Sequence, residues 1–325
     1  MSLSRYNESL FRRIIDMLSL VEPTDEEEAL RRIQQLIRGL EPEDEFALVL
    51  SWLGKCRIVH KLGQEQLPLN STDTYRVPDF LAVFEHEGKE IPVLIEVKKT
   101  SSKDPQSLKD GILSLKAGYL KYADVVGLPM LIAWQHRTIW TLFEMRHATK
   151  AIKNYNIGFF RATEENLLGL LAGDFSYRVA PGTAIRMRIK KLTAPDKNGS
   201  FEGQFEDVHF VNATGSRIPD IPHLSSLFLF WENEVEQQET DDAIVQSFVI
   251  SDTGLSEFAS RTLGKLIQSF AMIQKKDLDW RAIIHDTEHW SHKHETLRSV
   301  VEAGAKHGVF NNVFRMMPQH PPSFL

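Results

Sequence analysis

A single cysteine, Cys56, occurs in 325 residues. That excludes an intramolecular disulfide and any multi-cysteine zinc site, and it fits a reducing compartment. No apolar run approaches the roughly 20 residues of a membrane span. The opening residues, MSLSRYNESLFRR, lack the apolar core of a secretory signal, so a cytoplasmic protein is expected. No internal repeat and no low-complexity tract is found. An excess of positive charge is also missing. A net charge of −6 argues against bulk attraction to nucleic acid and leaves a local basic patch as the route to it.

What is present is ordinary for a globular protein: 42% hydrophobic and 25% charged residues, in a chain long enough for two or three compact units. Helical spacing over 4–20, and again from a capping-box pattern at Thr24 to a stop at Gly39, gives an N-terminal helical segment, 1–40. Pro42 is placed as a first helical residue. The helix after it carries Phe46, Leu48, Val49, Trp52, Leu53 and Cys56, where Cys56 is expected to be plain packing. Glu45 falls on this apolar stripe. Either it is a first-turn glutamate favoured by the helix dipole, or it points past the helix end into a site.

Strands are expected at 57–62, at 80–84 and at 91–97. A helix follows over 107–126, then strands at 129–134 and 138–145. This order of helix, three strands, helix and two strands makes an α/β sandwich with a mixed sheet. A helix is expected over 151–171, with a boundary near Gly173. Strand-like stretches at 184–192, 205–211, 227–231 and 245–250 mark a β-rich region. Helical spacing returns over 255–272 and 280–307, and HGVFNNVFRMMP reads as a final hairpin or wing. The expected division is 1–40, a core at 41–173, a β-rich domain at 174–252 and a C-terminal helical region at 253–325.

The chemistry concentrates in PDFLAVFEHEGKEIPVLIEVKKT, residues 78–100, where carboxylates and a lysine sit inside strands that should otherwise be apolar. A two-residue hairpin loop at Glu87-Gly88 pairs His86 with Lys89 and, counting back along both strands, Asp79 with Glu96. Strand side chains alternate, so Glu96 and Lys98 share one face while Val93, Ile95 and Val97 share the other. Pro92 cannot donate to a ladder and implies an edge position or a bulge, which would slip that register. Hard divalent cations such as Mg²⁺ or Mn²⁺ want oxygen ligands, which Asp79 and Glu96 supply, with the Val97 carbonyl as a further candidate. Lys98 beside them can orient or deprotonate a water and offset negative charge growing on a phosphorus centre.

On Pro78-Asp79 followed by Glu96-Val97-Lys98, with the apolar run IPVLI before the glutamate, the chain resembles the PD-(D/E)XK nuclease superfamily, which includes restriction endonucleases and archaeal Holliday junction resolvases. The resemblance covers roughly residues 41–146. It implies a restriction-endonuclease-like α-β-β-β-α-β core, Mg²⁺ held by Asp79 and Glu96, and catalytic assistance from Lys98. A glutamate on the preceding helix often completes such a site, and Glu45 is the similar position. Some members carry a glutamine and a tyrosine four apart on the next helix. Here Leu115 precedes Tyr119, so the glutamine is absent and Lys116 with Tyr119 or Tyr122 is a loose substitute.

The implied activity is a Mg²⁺-dependent endonuclease acting on DNA, most readily the double-stranded form, with Lys99, Lys116, Tyr119 and Lys121 near the phosphate chain. An RNA-directed nuclease and a catalytically silent binding or assembly module are the alternatives. Homodimerisation suits enzymes that cut both strands, though no stretch identifies an interface. Arg186, Arg188 and Lys190 alternate along one strand and form either a phosphate track or the wet side of a half-buried sheet. His285, His289, His292 and His294 read as a solvated stretch or, with a further ligand, a metal site. Residues 280–317 could form a winged helix with Lys293 and Arg298 facing DNA.

Overall fold

The computed structural model describes residues 42–63, 65–100, 108, 116–150, 155–194, 197, 200, 202–221, 224, 233–251, 256–265 and 294–325. The helices expected before residue 40, the strand expected at 227–231, His285, His289 and His292, and residues 280–293 of the winged-helix reading lie outside these.

Helix α1 spans 42–53. It is followed by strands β1 (Cys56–Lys61), β2 (Phe80–His86) and β3 (Lys89–Thr100), helix α2 (Lys116–Val126), and strands β4 (Met130–His136) and β5 (Ile139–Glu144). The five strands form one sheet in the order β1-β2-β3-β4-β5. β3 and β4 run parallel and the other neighbours run antiparallel. A parallel neighbour needs a crossover connection, and α2 lies on it. The fold is therefore mixed α/β, with the element order that the hydrophobic periodicity predicts. Cys56 opens β1 rather than closing α1.

The β2–β3 hairpin follows the register counted from the sequence: His86 pairs with Lys89, Val83 with Pro92 and Phe80 with Ile95. Glu87 and Gly88 both have positive φ (51° and 77°), the backbone of the primed turn whose twist matches the flanking strands. Pro92 does not displace the ladder. The irregularity falls between β1 and β2, at Cys56/Ile58.

Alternation along β3 sends its side chains into two cores. Val93, Ile95 and Val97 join Leu131, Ala133, Trp140 and Leu142 against Phe46, Val49 and Trp52 of α1. Leu94 joins Ile132, Trp134 and Phe143 with Tyr119 and Ala123 of α2. Each fully buried large aliphatic side chain contributes about 1.5–3 kcal/mol, so a one-residue slip of β3 would exchange both faces at once.

The expected helix over 151–171 is broken. Among the described residues, β6 (Thr149–Lys150) pairs with β7 (Tyr155–Asn156), followed by helix α3 (Phe159–Glu164) and a π-helical turn, Leu168–Ala172. Asn166 interrupts the periodicity, because its side-chain oxygen accepts the backbone N–H groups of Leu142 and Leu168, a local alternative to helix hydrogen bonds.

Beyond it lie β8 (Phe175–Val179), β9 (Ala184–Lys191), β10 (Gly203–Val211), β11 (Asn233–Glu239), β12 (Ala243–Ile250) and β13 (Glu257–Phe258), a helix α4 described over 259–265, helix α5 (His294–Lys306) and β14 (Phe310–Arg315). They make a four-stranded sheet, β10-β9-β12-β11, and a three-stranded sheet, β13-β8-β14. β11, NEVEQQE, has little strand propensity and is set by its ladder with β12, tertiary pairing overriding local preference. The expected final hairpin is instead the single strand β14, paired with β8.

The α1-side core continues through Leu168, Leu171, Tyr177, Phe210, Leu297, Val301 and Phe310. Gly169 is required there, because a Cβ would lie 1.8 Å from the Met316 carbonyl oxygen. No described helix is long and apolar enough to cross a membrane.

Candidate active site

The β2–β3 ladder ends at Phe80 and Ile95, and Asp79 is the next residue outward. Pro78 before it has no N–H to leave unpaired at the strand entry. The Asp79 carbonyl accepts the Leu62 N–H at 2.8 Å, and its side-chain Oδ2 accepts the Val97 N–H at 2.7 Å. The aspartate thus stands where the next backbone carbonyl of β2 would have been. N–H and C=O of one strand residue point to the same side, so the Val97 carbonyl also faces the side of Asp79.

Glu96 lies on the α2 face and is 3% exposed. Its Oε1 accepts the Tyr119 hydroxyl at 2.6 Å and is ion-paired with the Lys98 ammonium. Its Oε2 is buried with no hydrogen-bond partner. A buried carboxylate oxygen without a donor is costly. A hard cation between Glu96 and Asp79 would satisfy it, with the Val97 carbonyl and water completing the shell. The donors present therefore fit Mg²⁺ or Mn²⁺. Among the described residues no three His, Cys, Asp or Glu side chains are assembled to hold an ion on their own.

The electrostatics are those of crowded anions. Burial, and then the Glu96 carboxylate, push the Asp79 carboxyl up to about 7, against the opposing pull of Lys98 and the Val97 N–H. Burial disfavours the Lys98 cation, but Glu96 and Asp79 outweigh it and hold the ammonium above the ordinary lysine value. Tyr119 is raised by burial and by Glu96, so its hydroxyl stays a donor. Beside these two carboxylates Lys98 is held as an ammonium.

The first turn of α1 carries two glutamates, Glu43 and Glu45, that face different neighbours. Glu45 is 1% exposed and faces into the α1-side core, where its Oε1 accepts Gln135 Nε2 at 2.6 Å and Trp140 Nε1 at 3.3 Å. A Cβ on Gly264 would lie 3.2 Å from the same oxygen. Glu43, two residues earlier, is the one that feels the charge of Asp79 and whose own charge acts on Lys98. Burial first, and then Asp79, raise the Glu43 carboxyl. Its partner is Lys61 of β1, which also stands 3.6 Å from Asp44 Oδ1. The available signal for Glu43 was its place in the first turn of α1; which side of the helix end faces the strands is a tertiary fact.

The structure thus brings Asp79, Glu96, Lys98 and Tyr119 together, with Val97 between them. Lys116, Tyr119 and Ala123 form the buried face of α2, so Lys116 turns inward and donates to the Ala148 carbonyl at 2.8 Å. Lys121 is exposed on the same helix, and Lys99 is exposed on β3, pointing to the face opposite Lys98. On β9, Arg188 is paired with Glu206 and Asp242, each at 2.9 Å. Lys190 stands 3.9 Å from Glu206, and Arg186 lies beside His209 and Ser247 of the neighbouring strands. Two of these three basic residues therefore have carboxylate partners. On α5, Arg298 is paired with Glu302.

No protein-family model matches the chain, and no curated protein matches it. Among solved structures, a Holliday junction resolvase from Archaeoglobus fulgidus is similar at 21% identity, covering 34% of this chain and 84% of that chain, with a TM-score of 0.24.

Proposed function

We propose that the chain is a divalent-metal-dependent endonuclease of the PD-(D/E)XK type, with a restriction-endonuclease-like core, hydrolysing phosphodiester bonds of DNA. The observation that carries this reading is the buried, donor-less Oε2 of Glu96 in the strand position opposite Asp79, with Lys98 paired to the other oxygen of the same carboxylate.

Asp79 and Glu96 are the residues that would hold Mg²⁺, or Mn²⁺ in its place, with the Val97 carbonyl. The ion, when bound, acidifies a water and polarises a phosphate oxygen. Asp79 is fixed for this by the Val97 N–H, and Glu96 by Tyr119 and Lys98. Lys98, an ammonium, offsets the charge that grows on the phosphoryl oxygens as water oxygen bonds to phosphorus and the P–O bond to the leaving sugar oxygen breaks. Lys98 orients the attacking water and donates to a phosphate oxygen, while the proton of that water passes to solvent and the leaving sugar oxygen takes one from solvent. Glu43, which feels the charge of Asp79, is the candidate for the helix glutamate of the resemblance, in place of Glu45. Lys121 and Lys99, both exposed, remain candidate phosphate contacts, and residues 174–325 are assigned to choosing substrate or partner.

The test is incubation with plasmid, linear, single-stranded and branched DNA and with RNA, in Mg²⁺ or Mn²⁺. Metal-dependent cleavage of DNA that is lost in Asp79→Ala and Lys98→Ala is the expected result. Cleavage undiminished in either variant overturns the assignment.

A further inference from the structure

Lys61 is a second lysine at this site, and neither the sequence pattern nor the role given to Lys98 accounts for it. It comes from β1, where it pairs with Phe80, the residue after Asp79. Its Nζ stands 6.0 Å from the centre of the Phe80 ring. The ammonium is ion-paired with Glu43 and lies 3.6 Å from Asp44. The Lys61 and Glu43 side chains are 18% and 17% exposed, and that of Asp44 is 5% exposed. The next residue of the chain, Leu62, donates its N–H to the Asp79 carbonyl at 2.8 Å, the charge of Lys61 is felt at Asp79 and that of Glu43 at Lys98, so the Lys61 pair and the Asp79–Glu96 pair belong to one field of charge.

Nucleases that use two ions hold them about 3.5–4 Å apart, each between carboxylates. Here the carboxylates on the Glu43 side already enclose a cation, and that cation is tethered to a strand. We propose that the Lys61 ammonium fills the place a second divalent ion would take beside Glu43 and Asp44, so that the site binds one metal ion and not two. This inference rests on the Asp79–Glu96 metal reading above. A tethered ammonium does not exchange with solution, so millimolar Mg²⁺ or Mn²⁺ does not displace it. Without it, Glu43 would be left beside the charges of Asp79 and Asp44 with no ammonium between them, which is the oxygen-rich surrounding a hard cation seeks.

The test is the stoichiometry of Mn²⁺ bound to the full chain, by calorimetry and by electron paramagnetic resonance, which reports dipolar coupling between two neighbouring Mn²⁺ ions. Wild type is expected to bind one ion, without coupling. Lys61→Met, and Lys61→Gln as the variant that keeps a polar head in the half-buried position, are expected to bind a second ion with a coupled spectrum. Glu43→Gln added to Lys61→Gln is expected to lose that second ion while keeping the first. Two ions in wild type, or one ion in both Lys61 variants, overturns the inference and leaves the metal reading standing. No Mn²⁺ bound to wild type, with or without DNA, overturns the metal reading itself and this inference with it.

Discussion

The Tyr119 hydroxyl donates a 2.6 Å hydrogen bond to Glu96 Oε1 across the interface between α2 and β3. The helix that follows the motif strand is thereby tied to the carboxylate at the centre of the proposed chemistry, and Glu96 keeps one oxygen engaged and the other open.

Tyr119→Phe removes that donor and leaves the packing of the ring. Hydrogen bonds to charged groups contribute about 1.5–3 kcal/mol, so a stability loss of about 2 kcal/mol is expected in denaturant unfolding. Mn²⁺ affinity is expected to fall as well, because Glu96 is then oriented by Lys98 alone. Full retention of both quantities would mean that the hydroxyl positions nothing.

Glu43 and Glu45 are expected to separate cleanly. Glu45→Ala leaves Gln135 Nε2 and Trp140 Nε1 buried without their acceptor, and each orphaned donor costs about 1–3 kcal/mol. Unfolding measurements should show a loss above about 2 kcal/mol. Glu43→Gln should cost less stability than Glu45→Ala, because Asp44 stays 3.6 Å from the Lys61 ammonium, and it should weaken DNA cleavage while the first Mn²⁺ is still bound. The reverse pattern would return the helix glutamate of the site to Glu45.

Asp79 makes the metal-free protein sensitive to pH in a defined direction. Its carboxyl is raised from an ordinary value near 3.8 to about 7 by burial and by Glu96. The folded state therefore holds a proton that the unfolded chain gives up, so this contribution is present below about pH 4 and lost as the pH rises through about 7. Wild-type stability should fall relative to Asp79→Asn over that window. Protons and metal compete for the same oxygens, so Mg²⁺ affinity should rise across the neutral range and level off above it. An affinity flat from pH 6 to 8 would place Asp79 outside the metal's shell.

Arg188 on β9 already has two carboxylate partners, Glu206 and Asp242. Partly exposed pairs of this kind are worth about 0–1 kcal/mol, and the local field they leave is close to neutral. Arg188→Ala should change DNA affinity by less than about threefold and leave its salt dependence unaltered, as measured by fluorescence anisotropy across salt concentrations. A large loss would restore the strand as a phosphate track.

The parts legible in the sequence are those set by local rules. A two-residue turn with Gly88 at its second position fixes the hairpin register, and register alone brings Asp79 to Glu96. Period-2 alternation places Glu96 and Lys98 on the α2 face. The helical wheel of α1 correctly buries Glu45, but which first-turn glutamate lies near Asp79 is set by the tilt of the helix against the sheet, decided by packing that no window of sequence contains. Lys116 is the same lesson on α2: a lysine on a polar-looking helix turns inward to cap the Ala148 carbonyl. Lys61 carried no signal at all, since its partners come from the first turn of α1 and its neighbour in the sheet from β2.

The most direct measurement of the central claim is anomalous diffraction from a crystal soaked in Mn²⁺. A peak within coordination distance of Asp79 and Glu96 Oε2, absent in Asp79→Ala, is the result expected. A crystal with Mn²⁺ bound elsewhere and none between these two carboxylates would contradict it.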